Sequence, residues 1–282
     1  MKNITIKQHY IPQFYLKWFT DEKKCLHCYN KHSGEYFHAK TEDVCRKSFL
    51  YETEYSIPLK NGEKYILKNH TEKMFSKLES KYNAVVKKIL NKCLLNFDGK
   101  SLICNQDEKS VLANMVSNFI IRNPNAVYSF INPKETDYLL KSEEIKPYTD
   151  VFETLGFGEP TSLIVVTQKE VAFNPDMEGT AKKIIDDLME LDITFFVTKD
   201  RFITSDCPVL FDICDDCIVY AQLPLSPKVM AVYSKTKSSR KFRNKAFEVD
   251  TNIVLKFNTY QLNSENTKML ISTDEKDIIN IL

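Results

Sequence analysis

Chemistry-bearing side chains in unusually apolar settings mark three places in the chain. The first is QHYIPQFYLKWF, residues 8–19, where His9 stands among five aromatic residues. An imidazole half buried by aromatics, with one ring nitrogen fixed by a partner, is how a general acid or base is held. A satisfied core histidine has the same sequence signature. The five histidines, His9, His27, His32, His38 and His70, all lie in the first quarter of the chain, so any imidazole base must come from there. The second place is SNFIIRNP, where Arg122 ends an apolar helical run. A forked guanidinium on a rigid element can clamp a phosphate; it can equally complement the C-terminal helix dipole. The third is RFITSDCPV. Here a strand delivers Ser205 and Asp206 at its end, and Pro208 keeps Cys207 extended. Asp206 suits catalysis at a strand end, or an Asx-type turn. Nothing in the sequence activates Cys207 as a nucleophile.

Metal chemistry is suggested by Cys25-x2-Cys28 and Cys214-x2-Cys217, with His32, His38 and Cys45 nearby. Residues i and i+3 of a strand point to opposite faces, and neither pair carries a knuckle glycine. The spacing therefore argues against a structural zinc at Cys25, Cys28, Cys214 and Cys217, although DICDDCIVY reads as a hairpin turn that would bring its two thiols together. Glu72 and Glu79 share a helix face, which reads as solvated; the alternative is that one of them enters the site as an acid, base or metal ligand. Pro224, Ser226 and Pro227 read as a rigid break carrying a hydroxyl.

The elements that must position these groups read as α+β. KKCLHCYNKHSGEYFHAKT is a hairpin turning at Ser33-Gly34, and SFLYETEYSI is extended. Met74, Leu78, Val85 and Ile89 follow helical spacing, with Thr71 as N-cap. A second helix is capped by Asn105, carries Asp107 and Glu108 in its first turn, and stops at Asn123-Pro124. Residues 133–156 read as helical and SLIVVTQ as a strand. An amphipathic helix containing Gly179 follows, then the strands ITFFVTK, RFITS, CIVYAQLPL and KVMAVYSK. A helix over about 242–263, the strand KMLIS and a final turn begun by Thr273 close the chain. The expectation is one domain over residues 1–282. Its mixed or antiparallel sheet is formed by the N-terminal and C-terminal β-rich portions, with a helical subregion at 68–156.

Composition narrows the function classes. The 282 residues balance 39 basic against 38 acidic side chains, which removes the signature of a nucleic-acid coat protein while allowing a local basic patch. With only 6 glycines and no GxxxxGK[ST] or GxGxxG, a Gly-rich phosphate loop is excluded. No run reaches the ~18 apolar residues of a membrane span, and no signal-peptide h-region opens the chain. A cytoplasmic protein with reduced thiols is expected.

HYIPQFYLKWF, SNFIIRNP, FITSDCPV and PLSP, in this order, resemble the bacterial and phage family called domain of unknown function 4238, over roughly residues 8–260. The resemblance marks His9, Tyr10, Pro12, Gln13, Arg122, Ser205, Asp206, Pro208 and Ser226 as pattern positions. Cys207 departs from the asparagine common there, and the CxxC at residue 25 falls where relatives read as plain strand. The family brings no established activity. The resulting set of an imidazole, an aspartate, a serine and an arginine suits acid/base chemistry on an anionic substrate. The leading expectation is a phosphodiester hydrolase, nuclease-like, acting as a toxin or phage-defence effector. His9 would be general base or acid, Asp206 its orienter or a metal ligand, Ser205 a positioning hydroxyl, and Arg122 the phosphate clamp. Tyr10, Gln13 and Ser226 would line the substrate site. Nucleic acid or a nucleotide is the matching partner, and a divalent metal would be compatible. The alternatives are a non-enzymatic binding or interaction module and a nucleotide or NAD-type glycohydrolase.

Overall fold

The computed structural model describes residues 7–48, 50–51, 56–58, 64–66, 70–129, 171–235 and 239–282. The helix expected over 133–156 and the strand SLIVVTQ lie outside them. The chain opens with β1 (Lys7–His9), α1 (Gln13–Leu16) and a 3-10 turn (Lys17–Phe19), followed by β2 (Leu26–Asn30), β3 (Glu35–Ala39) and β4 (Arg46–Ser48). Then come β5 (Ser56–Pro58), β6 (Lys64–Ile66), α2 (His70–Leu95), α3 (Gln106–Ile121), α4 (Pro124–Ser129) and α5 (Thr180–Glu190). The β-rich remainder is β7 (Asp192–Val197), β8 (Thr204–Ser205), β9 (Leu210–Cys214), β10 (Cys217–Ser226) and β11 (Val229–Ser234). The chain ends with α6 (Ser239–Phe242), β12 (Ala246–Glu248), α7 (Thr251–Asn263), β13 (Met269–Ser272) and α8 (Glu275–Ile279).

Two sheets carry the α+β architecture. The larger has the order β12-β7-β11-β10-β9, antiparallel except for β12 beside β7. The smaller, β3-β2-β13-β8, joins the N-terminal hairpin to C-terminal strands, with β13 between β2 and β8. The expected union of the two β-rich portions is therefore found in this sheet. The five-stranded sheet comes from the C-terminal part alone.

Period-2 alternation sorts the larger sheet's residues between two faces. Ile193, Phe195 and Val197 of β7, with Ala221, Leu223 and Leu225 of β10, point into the main core with α2, α3 and α5. Burying each such large aliphatic or aromatic side chain stabilises the fold by about 1.5–3 kcal/mol. On the opposite face α7 lays Val254 and Phe257 against Phe196, Met230, Val232 and Tyr220. The main core also takes in Ile11, Tyr15, Leu16 and Phe19. The Tyr15 hydroxyl meets Thr204 Oγ1 at 2.7 Å and donates to the Pro224 carbonyl at 2.8 Å, so the N-terminal segment is pinned to both sheets.

Local signals explain most of the boundaries. Asn105 accepts from the Glu108 amide while Glu108 accepts from the Asn105 amide, a capping box. Gly34, at φ +72°, turns the β2–β3 hairpin. Asp215 and Asp216 both take positive φ in the two-residue turn of β9–β10, which sets Cys214 opposite Cys217. Four expectations shift. Helix α2 begins at His70, so Thr71 lies inside its first turn. Gly179 is the extended N-cap of α5 rather than an interior residue, and a Cβ there would stand 2.2 Å from the Val171 carbonyl oxygen. The 242–263 helix begins only at Thr251, capped by Asp250, because Ala246–Glu248 pairs with β7. Asp274, not Thr273, caps α8.

Candidate functional site

Arg122 is the C-cap of α3, 1% exposed, and each nitrogen of its fork donates a hydrogen bond. Nε donates to Tyr51 Oη at 2.9 Å. Nη1 donates to Glu79 Oε1 at 2.6 Å and to Asn118 Oδ1 at 3.2 Å. Nη2 donates to the His9 carbonyl. The guanidinium lies 4.3 Å from the Phe75 ring centroid and 5.4 Å from that of Tyr51. Burial alone would lower its pKa, but Tyr51 and Glu79 outweigh that and hold it charged. Glu79 is thus an ion-pair partner and not part of a solvated face. The Arg122 cation locks β1, Tyr51, α2 and α3 together, and a phosphate could reach it only by displacing these partners.

His9 lies at the end of β1, half-buried. Desolvation, then the Arg122 and Arg46 charges, lower its pKa, opposed by hydrogen bonds to the Thr41 and Glu42 backbone. The ring is therefore neutral near pH 7. Its Nε2 is buried without a hydrogen-bond partner among the described residues. Asp206 is buried as well. Its Oδ1 accepts from the Lys268 and Met269 amides at 2.9 and 3.0 Å, fastening the end of β8 to β13. Desolvation raises its pKa against those hydrogen bonds. The Asp206 charge acts on Tyr10 and Cys45, whereas the charges acting on His9 are those of the two arginines. The fold thus brings the two conspicuous segments together, and joins His9 to Arg122, without pairing the imidazole with Asp206.

The remaining sequence candidates divide similarly. Ser205 is fully buried; its Oγ accepts from Gln261 Nε2 and from the Cys207 amide. Ser226 Oγ accepts from the Lys228 amide in the β10–β11 turn. Gln13 is half-buried in the first turn of α1. Tyr10 is half-buried beside the Cys45 thiol, and burial raises its pKa. Burial, followed by the Asp206 charge, pushes the Cys207 thiol up to about 11, leaving it protonated and a poor nucleophile. Of the CxxC thiols, Cys28 points into the core while Cys214 and Cys217 are exposed on their hairpin. Among the described residues the grouped metal-ligating side chains are His27, His38 and Glu275, with no cysteine.

A groove of about 1210 Å³ opens on the α7 face of the large sheet. It lies between α7 and the β9–β10 edge of the sheet. Phe196, Phe211, Tyr220, Phe257 and Tyr260 supply aromatic walls, and Lys256 lies at the rim, 5.8 Å from the Tyr260 ring centroid. Gln222, 1% exposed, lies in its floor. The Tyr220 hydroxyl donates to Gln222 Oε1 at 2.6 Å, while Gln222 Nε2 is buried with no partner among the described residues. Burying an amide donor unpaired costs about 1–3 kcal/mol, so this is a polar group in want of an acceptor. The sequence held a signal for it: Tyr220 and Gln222 are two apart in a largely apolar strand, on the face opposite Ala221 and Leu223. His9, Arg122 and Asp206 do not line this groove; Cys207 does.

Among the described residues no helix is long and apolar enough to cross a membrane. A family model described as "Protein of unknown function (DUF4238)" matches residues 7–276. No curated protein and no solved structure matches the chain.

Proposed function

We propose that this chain, which belongs to the DUF4238 family, is a binding protein whose aromatic groove takes a nucleobase-bearing ligand. The observation that carries the reading is Gln222 Nε2, a buried donor without an acceptor among the described residues, in a groove walled by aromatic rings. Base stacking on such rings contributes about 1–3 kcal/mol per base and tolerates any base. Gln222 Nε2 is buried, so a base edge reaches it only as neighbouring side chains shift; the amide then supplies a hydrogen bond to an acceptor on the base edge, and Lys256 at the rim supplies positive charge for phosphate. The enclosed Arg122 supports the same reading, since it contributes to the fold and offers no clamp to a substrate.

The test is a binding titration of the full chain with nucleoside monophosphates in one arm and a short single-stranded oligonucleotide in the other. Saturable binding in either arm is expected. Gln222→Leu should weaken it about tenfold, the worth of one hydrogen bond, and Tyr260→Ala should weaken it at least as much. Tighter, salt-sensitive binding in the oligonucleotide arm identifies a strand as the natural ligand. Affinity unchanged by both substitutions, or no binding in either arm, overturns the reading.

Phosphodiester hydrolysis is the second reading, favoured by the buried Nε2 of a neutral His9, which has no hydrogen-bond partner among the described residues. Its test is oligonucleotide cleavage. The reading requires that His9→Asn and Asp206→Asn abolish cleavage without lowering the melting temperature, and fails if activity falls only in step with unfolding.

A further inference from the structure

We infer that His27, His38 and Glu275 bind a divalent transition-metal ion on the outer face of the smaller sheet. In β2, Leu26 and Cys28 face the core, so His27 faces out. It stands directly opposite His38 in the β2–β3 register. The two rings are nearly perpendicular, at 82°, and His27 Nδ1 lies 3.0 Å from His38 Nε2. Helix α8 begins beside them and brings Glu275, so that one ligand atom from each residue falls within 4.8 Å of the others.

A fourth residue decides how the histidine pair is used. Asp21 Oδ2 lies 3.4 Å from His27 Nε2. A carboxylate only accepts, so it keeps the proton on Nε2 and leaves the Nδ1 lone pair facing His38. Asp21 is itself fixed, its Oδ1 accepting from the Cys25 amide at 2.8 Å. A carboxylate on the far nitrogen of a histidine ligand is the usual outer support of a metal site; it sets the tautomer and raises ligand basicity. Without a cation, the His38 Nε2–H would donate to that lone pair. With His38 in its other tautomer, both facing nitrogens carry lone pairs that one cation can share.

The spacing fits a metal. With metal–nitrogen bonds of ~2.1 Å, a 3.0 Å separation of the two nitrogens corresponds to an angle of about 90°. This is the angle of adjacent octahedral positions. Glu275, partly exposed on the first turn of α8, closes the third position by a side-chain rotation. Two imidazoles and a carboxylate suit zinc, cobalt, iron or nickel rather than calcium or magnesium. Three protein ligands leave open positions toward solvent for water or an anion. This inference rests on nothing in the aromatic groove and stands or falls separately from it.

The experiment is titration of the metal-free full chain with Co²⁺, followed by absorption, with Zn²⁺ competition and metal analysis after dialysis. One equivalent of Co²⁺ is expected, with weak ligand-field bands, no thiolate charge-transfer band, and displacement by Zn²⁺. His27→Gln and His38→Gln should remove binding, Glu275→Gln should weaken it at least tenfold, and Asp21→Asn should weaken it roughly 10–100-fold. His38 is exposed, so His38→Gln should leave the metal-free melting temperature unchanged, while the metal-induced rise seen in the wild type disappears. Absence of binding, a thiolate band, or binding that survives His38→Gln overturns the assignment.

Discussion

Replacing Arg122 by Met keeps most of the side chain's volume and removes its charge and its fork. The substitution deletes bonds to Tyr51, Glu79, Asn118 and the His9 carbonyl. Removing one partner of a buried ion pair costs about 3–5 kcal/mol. Glu79, whose side chain is 26% exposed, can take up water and recover part of that. The Tyr51 hydroxyl still donates to the His9 carbonyl at 3.0 Å, which limits the loss further. A net destabilisation of about 3 kcal/mol is expected, read as a fall of roughly 10 °C in melting temperature at about 2–4 °C per kcal/mol for a chain approaching this size. Arg122→Lys should recover only part of this, because an ammonium cannot reproduce the planar fork. The assay is thermal melting with parallel urea unfolding, followed by ligand titration of the folded variant. The reasoning is refuted if Arg122→Met melts within about 2 °C of the wild type while losing ligand binding or cleavage. That result would place the guanidinium in a site and not in the fold.

Four further outcomes follow from local features. His9 has a folded-state pKa below its usual 6.5, so the unfolded chain takes the proton first. Stability is then lost as pH falls below about 6.5, by up to ~1.4 kcal/mol per pH unit; His9→Asn should flatten that limb in urea unfolding across pH. Asp206 acts with the opposite sign. Its raised pKa makes the folded state the stronger proton binder, so Asp206→Asn should remove a stability loss that appears as pH rises through its carboxyl range. Gly99, at φ +74°, would place a Cβ 2.3 Å from the Phe247 ring. Gly99→Ala should cost at least the ~1–2 kcal/mol of the left-handed conformation, measured as a lower urea midpoint. Asn105→Ala opens the α3 capping box and should cost ~1 kcal/mol by the same assay.

What the sequence made legible, and what it did not, divides along the range of the interactions involved. Asn105 and Glu108, Ser33-Gly34 and Asp215-Asp216 act within a few residues, and each produces the expected cap or turn. The β7, β10 and β11 strands were legible from their β-branched and aromatic runs. Strand β12 was not, since three residues become a strand only through parallel pairing with β7. The same holds for the site. His9, Arg122 and Asp206 are conspicuous as polar residues in apolar runs, but their partners lie far along the chain. Arg122 reaches Glu79, Tyr51 and His9 at separations of 43, 71 and 113 residues. A buried cation tying elements together and one waiting for phosphate have the same local sequence. The groove is not written in any one stretch of sequence, because its walls come from β7, β9, β10 and α7.

The most direct measurement of the central claim is the side-chain amide resonance of Gln222 in ¹⁵N-labelled protein, assigned by its loss in Gln222→Leu. Titration with a nucleoside monophosphate or a short single strand should shift this resonance and slow its exchange with water, saturating together with the binding isotherm. A ligand that binds while the Gln222 amide stays unmoved would contradict the account, because the buried donor would then have nothing to do with recognition.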